Sequence, residues 1–263
     1  MSPDSARALI GADVGTIDSI ERIKHGLTNE SWLVKSASGT FVIRCSNAAE
    51  DSLQIDRSSE AVILTAVALA GLGPDIVCND PQQRVLVTRY AGSTWTHSDA
   101  VDEHNVVRVA AVFRDLHRLA MPVGVRRVDL LDVVEGYLRT LDQHSAAGPS
   151  PERRQRALAI AMQLRQFEDL CLCHNDVHAL NIVDDGRLRF IDWEYAGLGE
   201  RYFDLASLCV YHGYDRRLRE RLLTAYDATT DAGALARLEQ CCWLFDCIRD
   251  LWTQVRELMV DDR

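Results

Sequence analysis

The spacing of apolar residues changes partway along the chain, and this change limits the folds that the chain can adopt. Residues 19–46 alternate apolar and polar side chains, with breaks at Gly26 and at a SASG stretch, which predicts three short antiparallel strands. Residues 53–70 have the spacing of a helix. Residues 75–90 alternate again and predict a hairpin that turns at 79–81. The first part is therefore predicted to be a small antiparallel sheet with one helix.

After the AGSTW stretch at 91–95 the pattern becomes mostly helical. The exception is 182–192, where two short apolar runs flank Asp184-Asp185-Gly186 and predict a second hairpin. The sequence thus predicts an α+β fold with a small sheet lobe over 1–92 and a larger, mainly helical lobe over 93–263. Helical spacing is found near 99–119, 129–143, 152–168, 200–228 and 232–260.

Composition excludes several classes of protein. The net charge of -10 and the absence of a basic stripe argue against nucleic-acid binding, and an acidic chain is compatible with a cationic small substrate. The longest apolar segment, 61–73, is too short to cross a bilayer, so no membrane insertion is predicted. The N-terminus has no secretory signal, and the eight cysteines form no CxxC pair, which predicts a cytoplasmic protein with free thiols.

The stretch CLCHNDVHALNIVDDGRLRFIDWEYA at 171–196 concentrates the polar residues that could perform chemistry. Asp176 and Asn181 lie five residues apart on a predicted loop, and Asp192 ends the hairpin that follows. A carboxylate that accepts a proton, beside an Asn and a second Asp that offer oxygen to Mg²⁺, is what phosphoryl transfer requires. Each residue alone could be turn chemistry, but the set of three at this spacing favours a phosphotransferase site.

These residues resemble a known family. The pattern His174-x-Asp176-x-x-x-x-Asn181, followed by Ile191-Asp192-Trp193-Glu194-Tyr195, is similar to the aminoglycoside phosphotransferase and choline kinase superfamily, and most similar to bacterial choline and thiamine kinases. The resemblance spans roughly residues 18–258 and implies a protein-kinase-like fold. Further matches occur in order along the chain: GLTNESWLV at 26–34, FVIR at 41–44, DRSSE at 56–60 and YFDLA at 202–206.

The resemblance also implies roles for the residues of the loop and the hairpin. Asp176 would be the catalytic base that orients the substrate hydroxyl, and Asn181 and Asp192 would hold Mg²⁺ against the ATP phosphates. His174 would support the catalytic loop by hydrogen bonding. Asp204 would anchor the same loop, although it could instead cap the helix that follows it.

In the first lobe the resemblance implies a nucleotide site. Arg44 would contact the ATP phosphates, because a guanidinium can bind phosphate through two nitrogens, and Glu60 on the following helix would hold Arg44 in place. The alternative is a surface ion pair. Gly26, Thr28 and Asn29 would form the hairpin over the nucleotide, where only Gly26 supplies backbone freedom.

The acceptor is less constrained than the reaction. Trp252 resembles the tryptophan that choline kinases place near the substrate, where an aromatic face can hold a quaternary ammonium, although Trp252 could equally be a core residue. Glu194 and Tyr195 could add a charge and a second ring. Eukaryotic choline kinases have a glutamate a turn or two beyond the FD motif, and the corresponding stretch here, SLCVYHGY, contains Tyr211 and no acid, which leaves thiamine or another cationic alcohol open beside choline.

Three alternatives remain beside a choline kinase or a thiamine kinase. An aminoglycoside phosphotransferase is disfavoured because few acidic residues can be assigned to a polycation pocket. A catalytically silent pseudokinase could have lost any of the predicted site residues, and none is missing. A zinc enzyme could use Cys171, Cys173, His174, Asp176 and His178. The sequence predicts ATP and a small alcohol as partners and Mg²⁺ as cofactor, and it leaves the oligomeric state open.

Overall fold

The computed structural model describes residues 1–24, 28–46, 50–228 and 231–261. Gly26, which was predicted to take part in the nucleotide hairpin, lies outside these residues. Within them the α+β prediction is confirmed: an antiparallel sheet comes first and a mainly helical part follows. The division at residues 92 and 93 stays a prediction.

A five-stranded antiparallel sheet forms in the N-terminal part, with the spatial order β1-β2-β3-β5-β4. One face of the sheet buries Val34, Phe41, Ile43 and Val87, which alternate with more exposed neighbours as the two-residue period of a strand requires. The helix α1 (Pro3–Ile10), which the sequence pattern did not predict, packs Ala6 into the same small core. The strands are β1 (Ile17–Ile23), β2 (Asn29–Ser36), β3 (Gly39–Ser46), β4 (Ile76–Asp80) and β5 (Val85–Arg89).

The predicted hairpin over 75–90 forms, but its turn begins later than expected. Asn79 and Asp80 belong to β4, and the chain reverses after Pro81. The side chain of Asp80 accepts a hydrogen bond of 2.9 Å from the Gln83 amide, and Arg84 takes a left-handed φ of 57°. Asp80 is therefore the last residue of β4, and the turn follows it.

The helix α2 (Arg57–Leu69) follows the third strand and joins the two parts of the molecule. It begins later than the pattern at 53–70 suggested, because the side chain of Asp56 caps it by accepting a hydrogen bond of 2.9 Å from the Ser59 amide. Its Ile63 and Val67 are buried in the large core of the helical part.

The helical part contains six further long helices and one short one among the described residues. Two of the predicted segments are split: Asp102 caps a new helix within 99–119, and a left-handed Gly213 with a φ of 62° and the capping Asp215 interrupt 200–228. The helices are α3 (His97–Val101), α4 (Glu103–His117), α5 (Leu130–Gln143), α6 (Pro151–Leu164), α7 (Arg201–Tyr211), α8 (Arg216–Asp227) and α9 (Ala232–Asp261).

Two small sheets surround the loop that contains residues 174–178. The predicted second hairpin is present, and Asp184 accepts a hydrogen bond of 3.0 Å from the Gly186 amide at its turn. No helix in the described part of the chain combines the length and apolarity that crossing a membrane requires. The short strands are β6 (Ser93–Thr94), β7 (Cys171–Cys173), β8 (Ile182–Asp184), β9 (Leu188–Phe190) and β10 (Gly197–Gly199), with β6 beside β8 and β7 beside β10.

Candidate active site

A buried carboxylate on α7 binds the backbone of the loop that follows β7. Asp204, on α7, accepts hydrogen bonds from the backbone amides of His174 at 2.9 Å and Asn175 at 2.5 Å. Asn175 has a left-handed φ of 68°, which an asparagine tolerates better than most residues. These two hydrogen bonds attach the loop to α7, as expected of a residue that anchors the loop. The effect of Asp204 on activity stays a prediction.

His174 uses both ring nitrogens inside the protein. Its Nε2 donates to the carbonyl of Ile191 at 2.9 Å, and its Nδ1 accepts a hydrogen bond from the Asp176 amide at 3.3 Å. Burial lowers the pKa of His174, which keeps the imidazole neutral with its proton on Nε2. These contacts fit the predicted support of the loop and leave no nitrogen for a metal.

Asp176 lies in the middle of this loop and lines a cavity. Its Oδ1 accepts a hydrogen bond from the Tyr211 hydroxyl at 2.9 Å, while Asn181 Nδ2 lies 2.9 Å from its carbonyl and 3.4 Å from its Oδ2. Burial raises the pKa of the Asp176 carboxyl well above its usual range, and the charges of Asp192 and Glu194 add to this effect. The carboxylate therefore has a high affinity for a proton.

The two predicted magnesium ligands present hard oxygen atoms to the same cavity. Asn181 turns its Nδ2 toward Asp176, so its Oδ1 is free of hydrogen bonds from the described residues. Asp192 has a φ of 65° and uses Oδ1 to accept from Arg44, which leaves Oδ2 for another partner. One amide oxygen and one carboxylate oxygen are ligands that Mg²⁺ accepts, so the donor set fits this ion.

Arg44 connects the first lobe to this loop region. Its guanidinium donates to Glu60 at 2.8 Å and to Asp192 at 3.0 Å. Although burial opposes ionisation of Glu60, Arg44 and Arg57 together lower the pKa of this carboxyl. Only 12% of the Arg44 side chain is exposed, so the arginine is preorganised at the wall of the cavity and is no surface charge.

Glu194 has partners that the sequence did not suggest. Its carboxylate accepts hydrogen bonds from Thr28 at 2.6 Å and Asn29 at 2.9 Å, and it forms an ion pair with Arg57 at 3.1 Å. Burial raises the pKa of Glu194, and the two arginines oppose the rise. The carboxylate thus holds the predicted nucleotide hairpin against the helical part. A direct contact between Glu194 and a substrate stays a prediction.

Arg57 is the functional candidate that sequence analysis missed. It donates to Glu50 at 2.8 Å and to Glu60 at 2.7 Å, in addition to its contact with Glu194. The three-residue spacing of Arg57 and Glu60 on α2 was the available signal, because such residues face each other on a helix. Their link to Glu194, far away in the chain, had no local signal.

A cavity of about 600 Å³ connects the phosphate-binding candidates to a group of aromatic side chains. Trp252 lines it and donates from Nε1 to the Tyr195 hydroxyl at 2.7 Å, so the two rings form one wall. Trp252 is half-buried and also packs against the large core. Part of its surface therefore lines the cavity, as a substrate-binding residue would, and part belongs to the core. The cavity wall includes Arg44, Asp176, Asp192, Tyr195, Tyr211 and Trp252.

The residues that could bind zinc in the structure differ from the five that the sequence suggested. Among the described residues, the group whose atoms could surround a metal is His117, Cys171 and Cys173. His117 already uses Nδ1 toward the Tyr226 hydroxyl at 2.6 Å and Nε2 toward Asp204 at 3.0 Å. Burial raises the pKa of the Cys173 thiol, which opposes the thiolate that a metal needs.

Comparison with known proteins identifies relatives of this chain. The LicA protein of Haemophilus influenzae is 29% identical over 245 residues, which cover 88% of this chain and 72% of the relative. A choline/ethanolamine kinase family protein from Mesorhizobium loti has a crystal structure with a TM-score of 0.79 and 27% identity, covering all of this chain and 88% of the other. The choline kinase LicA of Streptococcus pneumoniae has a TM-score of 0.81 at 21% identity, covering 97% and 90%, and supports the fold.

Comparison of the sequence with models of whole protein families shows which family the chain belongs to. The sequence model of the phosphotransferase enzyme family matches residues 19–239, which cover most of both lobes and include the loop of Asp176. The predicted protein-kinase-like fold and the predicted transfer of phosphate to an alcohol group are confirmed at this level. The chain belongs to the phosphotransferase enzyme family.

Proposed function

We propose that this enzyme transfers the γ-phosphate of ATP to the hydroxyl of choline or a closely related amino alcohol. The observation that supports this most directly is the composition of one cavity. Arg44 supplies a positive charge suited to phosphates, Asp192 supplies a carboxylate oxygen suited to Mg²⁺, Tyr195 and Trp252 supply aromatic faces, and Asp176 lies in the same wall. Relatives named as choline kinases and choline/ethanolamine kinases support the same substrate class.

In the proposed reaction Asp176 orients the acceptor hydroxyl and takes its proton. The acceptor oxygen forms a bond to the γ-phosphorus while the bond between that phosphorus and the bridging oxygen breaks, and ADP leaves with the bridging oxygen. The proton moves to the Asp176 carboxylate. The raised pKa of this carboxyl favours the transfer.

At the phosphate end, the residues of the chain provide positioning and charge. Arg44 is held by Glu60 and Asp192, so its planar guanidinium meets a phosphate without having to be ordered first. Asn181 Oδ1 and the free oxygen of Asp192 would hold Mg²⁺, which when bound neutralises the negative charge of the phosphates. Thr28 and Asn29 position the nucleotide hairpin through Glu194.

At the acceptor end, the aromatic wall favours a cation with little hydration. The bond between Trp252 Nε1 and the Tyr195 hydroxyl fixes the two rings relative to each other. A quaternary ammonium over such a ring gains about 1–2 kcal/mol when it is desolvated. The stretch SLCVYHGY after the FD motif contains no acid, so in this proposal the aromatic faces provide most of the selectivity for the cation.

We also place the enzyme in the cytoplasm. All eight cysteines are free, and five of them are buried, including Cys209 and Cys241. Buried thiols without disulfide partners are typical of proteins from a reducing compartment. Fractionation of the cells that produce the enzyme would test this assignment, and recovery with the secreted proteins would contradict it.

The substrate is tested by measuring ADP release in the presence of ATP and Mg²⁺, with choline, ethanolamine, thiamine and an aminoglycoside as separate acceptors. The proposal expects the highest kcat/KM with choline or ethanolamine. Preferred turnover of thiamine or the aminoglycoside would refute the amino alcohol as substrate. ATP binding without turnover of any acceptor would indicate the pseudokinase and refute the proposal.

A further inference from the structure

One face of α7 holds the catalytic loop at successive positions. Asp204, Ser207 and Tyr211 are spaced by three and four residues, so they share a face of the helix. Asp204 binds the first two amides of the loop, as described above. The Ser207 hydroxyl accepts a hydrogen bond from the Val177 amide at 3.1 Å. The backbone of the loop is therefore fixed on both sides of Asp176.

Tyr211 differs from the other two residues because it contacts the reactive side chain itself. Its hydroxyl donates to Asp176 Oδ1 at 2.9 Å. The pKa of Tyr211 is raised by burial and by the charge of Asp176, so the hydroxyl keeps its proton and remains a donor. This hydrogen bond is shorter than any other that the described side chains make to the Asp176 carboxylate.

The Tyr211 ring is itself held by three neighbours. The centroid of the His178 ring lies 4.7 Å away, and that of Phe245 lies 5.4 Å away in an edge-on arrangement. The guanidinium of Arg249 lies 5.6 Å from the Tyr211 centroid on the cavity side. Because packing fixes the ring, the position of its hydroxyl is set before any substrate arrives.

We propose that Tyr211 is a positioning residue for the reaction, a role that rests on the proposed function of Asp176. Its hydroxyl engages Oδ1 and so leaves Oδ2 as the oxygen that receives the proton of the acceptor. Asn181 Nδ2 at 3.4 Å and His178 Nε2 at 3.9 Å also face Oδ2, and both lie farther from it than the Tyr211 hydroxyl lies from Oδ1. Without the Tyr211 hydroxyl the carboxylate could rotate, and both oxygens would sample unproductive directions.

The test compares Tyr211→Phe with a matched control, Tyr202→Phe. Tyr202 lies on the same helix, is buried, and donates its hydroxyl to the carboxylate of Asp227 at 2.9 Å. Both variants therefore lose one tyrosine-to-carboxylate hydrogen bond from α7, but only one of these bonds involves Asp176. ADP release is measured with the preferred acceptor, and kcat, the KM for ATP and the Tm are determined for both.

We expect Tyr211→Phe to lower kcat by about 10- to 100-fold, which is the scale of a misplaced catalytic group. The KM for ATP should stay within about twofold of the wild-type value, because the ATP-binding residues are untouched. Tyr202→Phe should keep the wild-type kcat. Its loss of Tm should equal or exceed that of Tyr211→Phe.

Two results would overturn the role of Tyr211. The first is a kcat of Tyr211→Phe equal to that of Tyr202→Phe. The second is a loss of kcat that comes with an increased KM for ATP and a much lower Tm, since that pattern indicates general damage to the fold. A wild-type enzyme that phosphorylates no acceptor would instead refute the proposed function, so the two failures are distinguishable.

Discussion

Replacement of Arg57 by methionine tests the importance of the buried charges between the two lobes. Only 8% of the Arg57 side chain is exposed, and its partners Glu60 and Glu194 are each 3% exposed. Arg57→Met keeps most of the length and apolar surface of the side chain but removes the positive charge. Glu60 then retains Arg44, whereas Glu194 loses the cation that lies 3.1 Å from its carboxylate.

The structure predicts a large loss of stability for this variant. Removing one partner of a buried ion pair costs about 3–5 kcal/mol, because the remaining charge stays buried without its counter-ion. At about 2–4 °C per kcal/mol for a chain of roughly this size, the Tm should fall by on the order of 10 °C. The hydrogen bond from Arg57 to Asn29, at 3.1 Å, is lost as well, so the nucleotide hairpin should be less well ordered.

The control is the same substitution in an exposed pair. Arg22 and Glu30 lie 3.0 Å apart, with 63% and 40% of their side chains exposed. Arg22→Met should cost about 1 kcal/mol or less, since exposed ion pairs contribute little. Unfolding by urea and by heat is followed for both variants by circular dichroism. Equal losses of stability for Arg57→Met and Arg22→Met would refute the claim that the buried network holds the lobes together.

The remaining predictions concern pH and the acceptor. Burial, and then His97, lower the pKa of His212 from 6.5 to about 4, so the folded protein binds fewer protons than the unfolded chain in this window. The free energy of unfolding should therefore fall as the pH drops from about 7 toward 4.5. His212→Gln should reduce that fall, and a pH profile of stability identical to that of the wild type would contradict this prediction. Trp252→Ala should raise the KM for the acceptor by about 10-fold with the KM for ATP unchanged, and an unchanged acceptor KM would exclude Trp252 from binding.

Those parts of the fold that local patterns determine could be predicted from the sequence. The strands from 19 to 46 follow from alternation, and the second hairpin follows from the turn chemistry of Asp184 and Gly186. Helix α1 was not predicted, and most other errors fall at boundaries, such as the turn after Pro81 and the break within 200–228 at Gly213. Such boundaries depend on a single capping side chain or a left-handed glycine. The spacing of apolar residues contains no information about either.

Contacts between distant residues could not be predicted in this way. Thr28 and Glu194 are separated by 166 residues, and Tyr211 and Asp176 by 35, yet each pair shares a short hydrogen bond. The sequence suggested a substrate role for Glu194, which stays a prediction, and gave no sign of the contacts between its carboxylate and Thr28 and Asn29. The tertiary fold brings these partners together, and no local pattern in the sequence indicates them.

The most direct test of the central claim is the comparison of wild type with Asp176→Asn in single-turnover transfer from labelled ATP to choline. Asparagine keeps the shape of the side chain but cannot take the proton, so the rate should fall by at least about 100-fold. Binding of ATP, measured by calorimetry, should be unchanged because Arg44, Asn181 and Asp192 remain. Transfer at the wild-type rate in Asp176→Asn would contradict the assignment of Asp176 as the catalytic base.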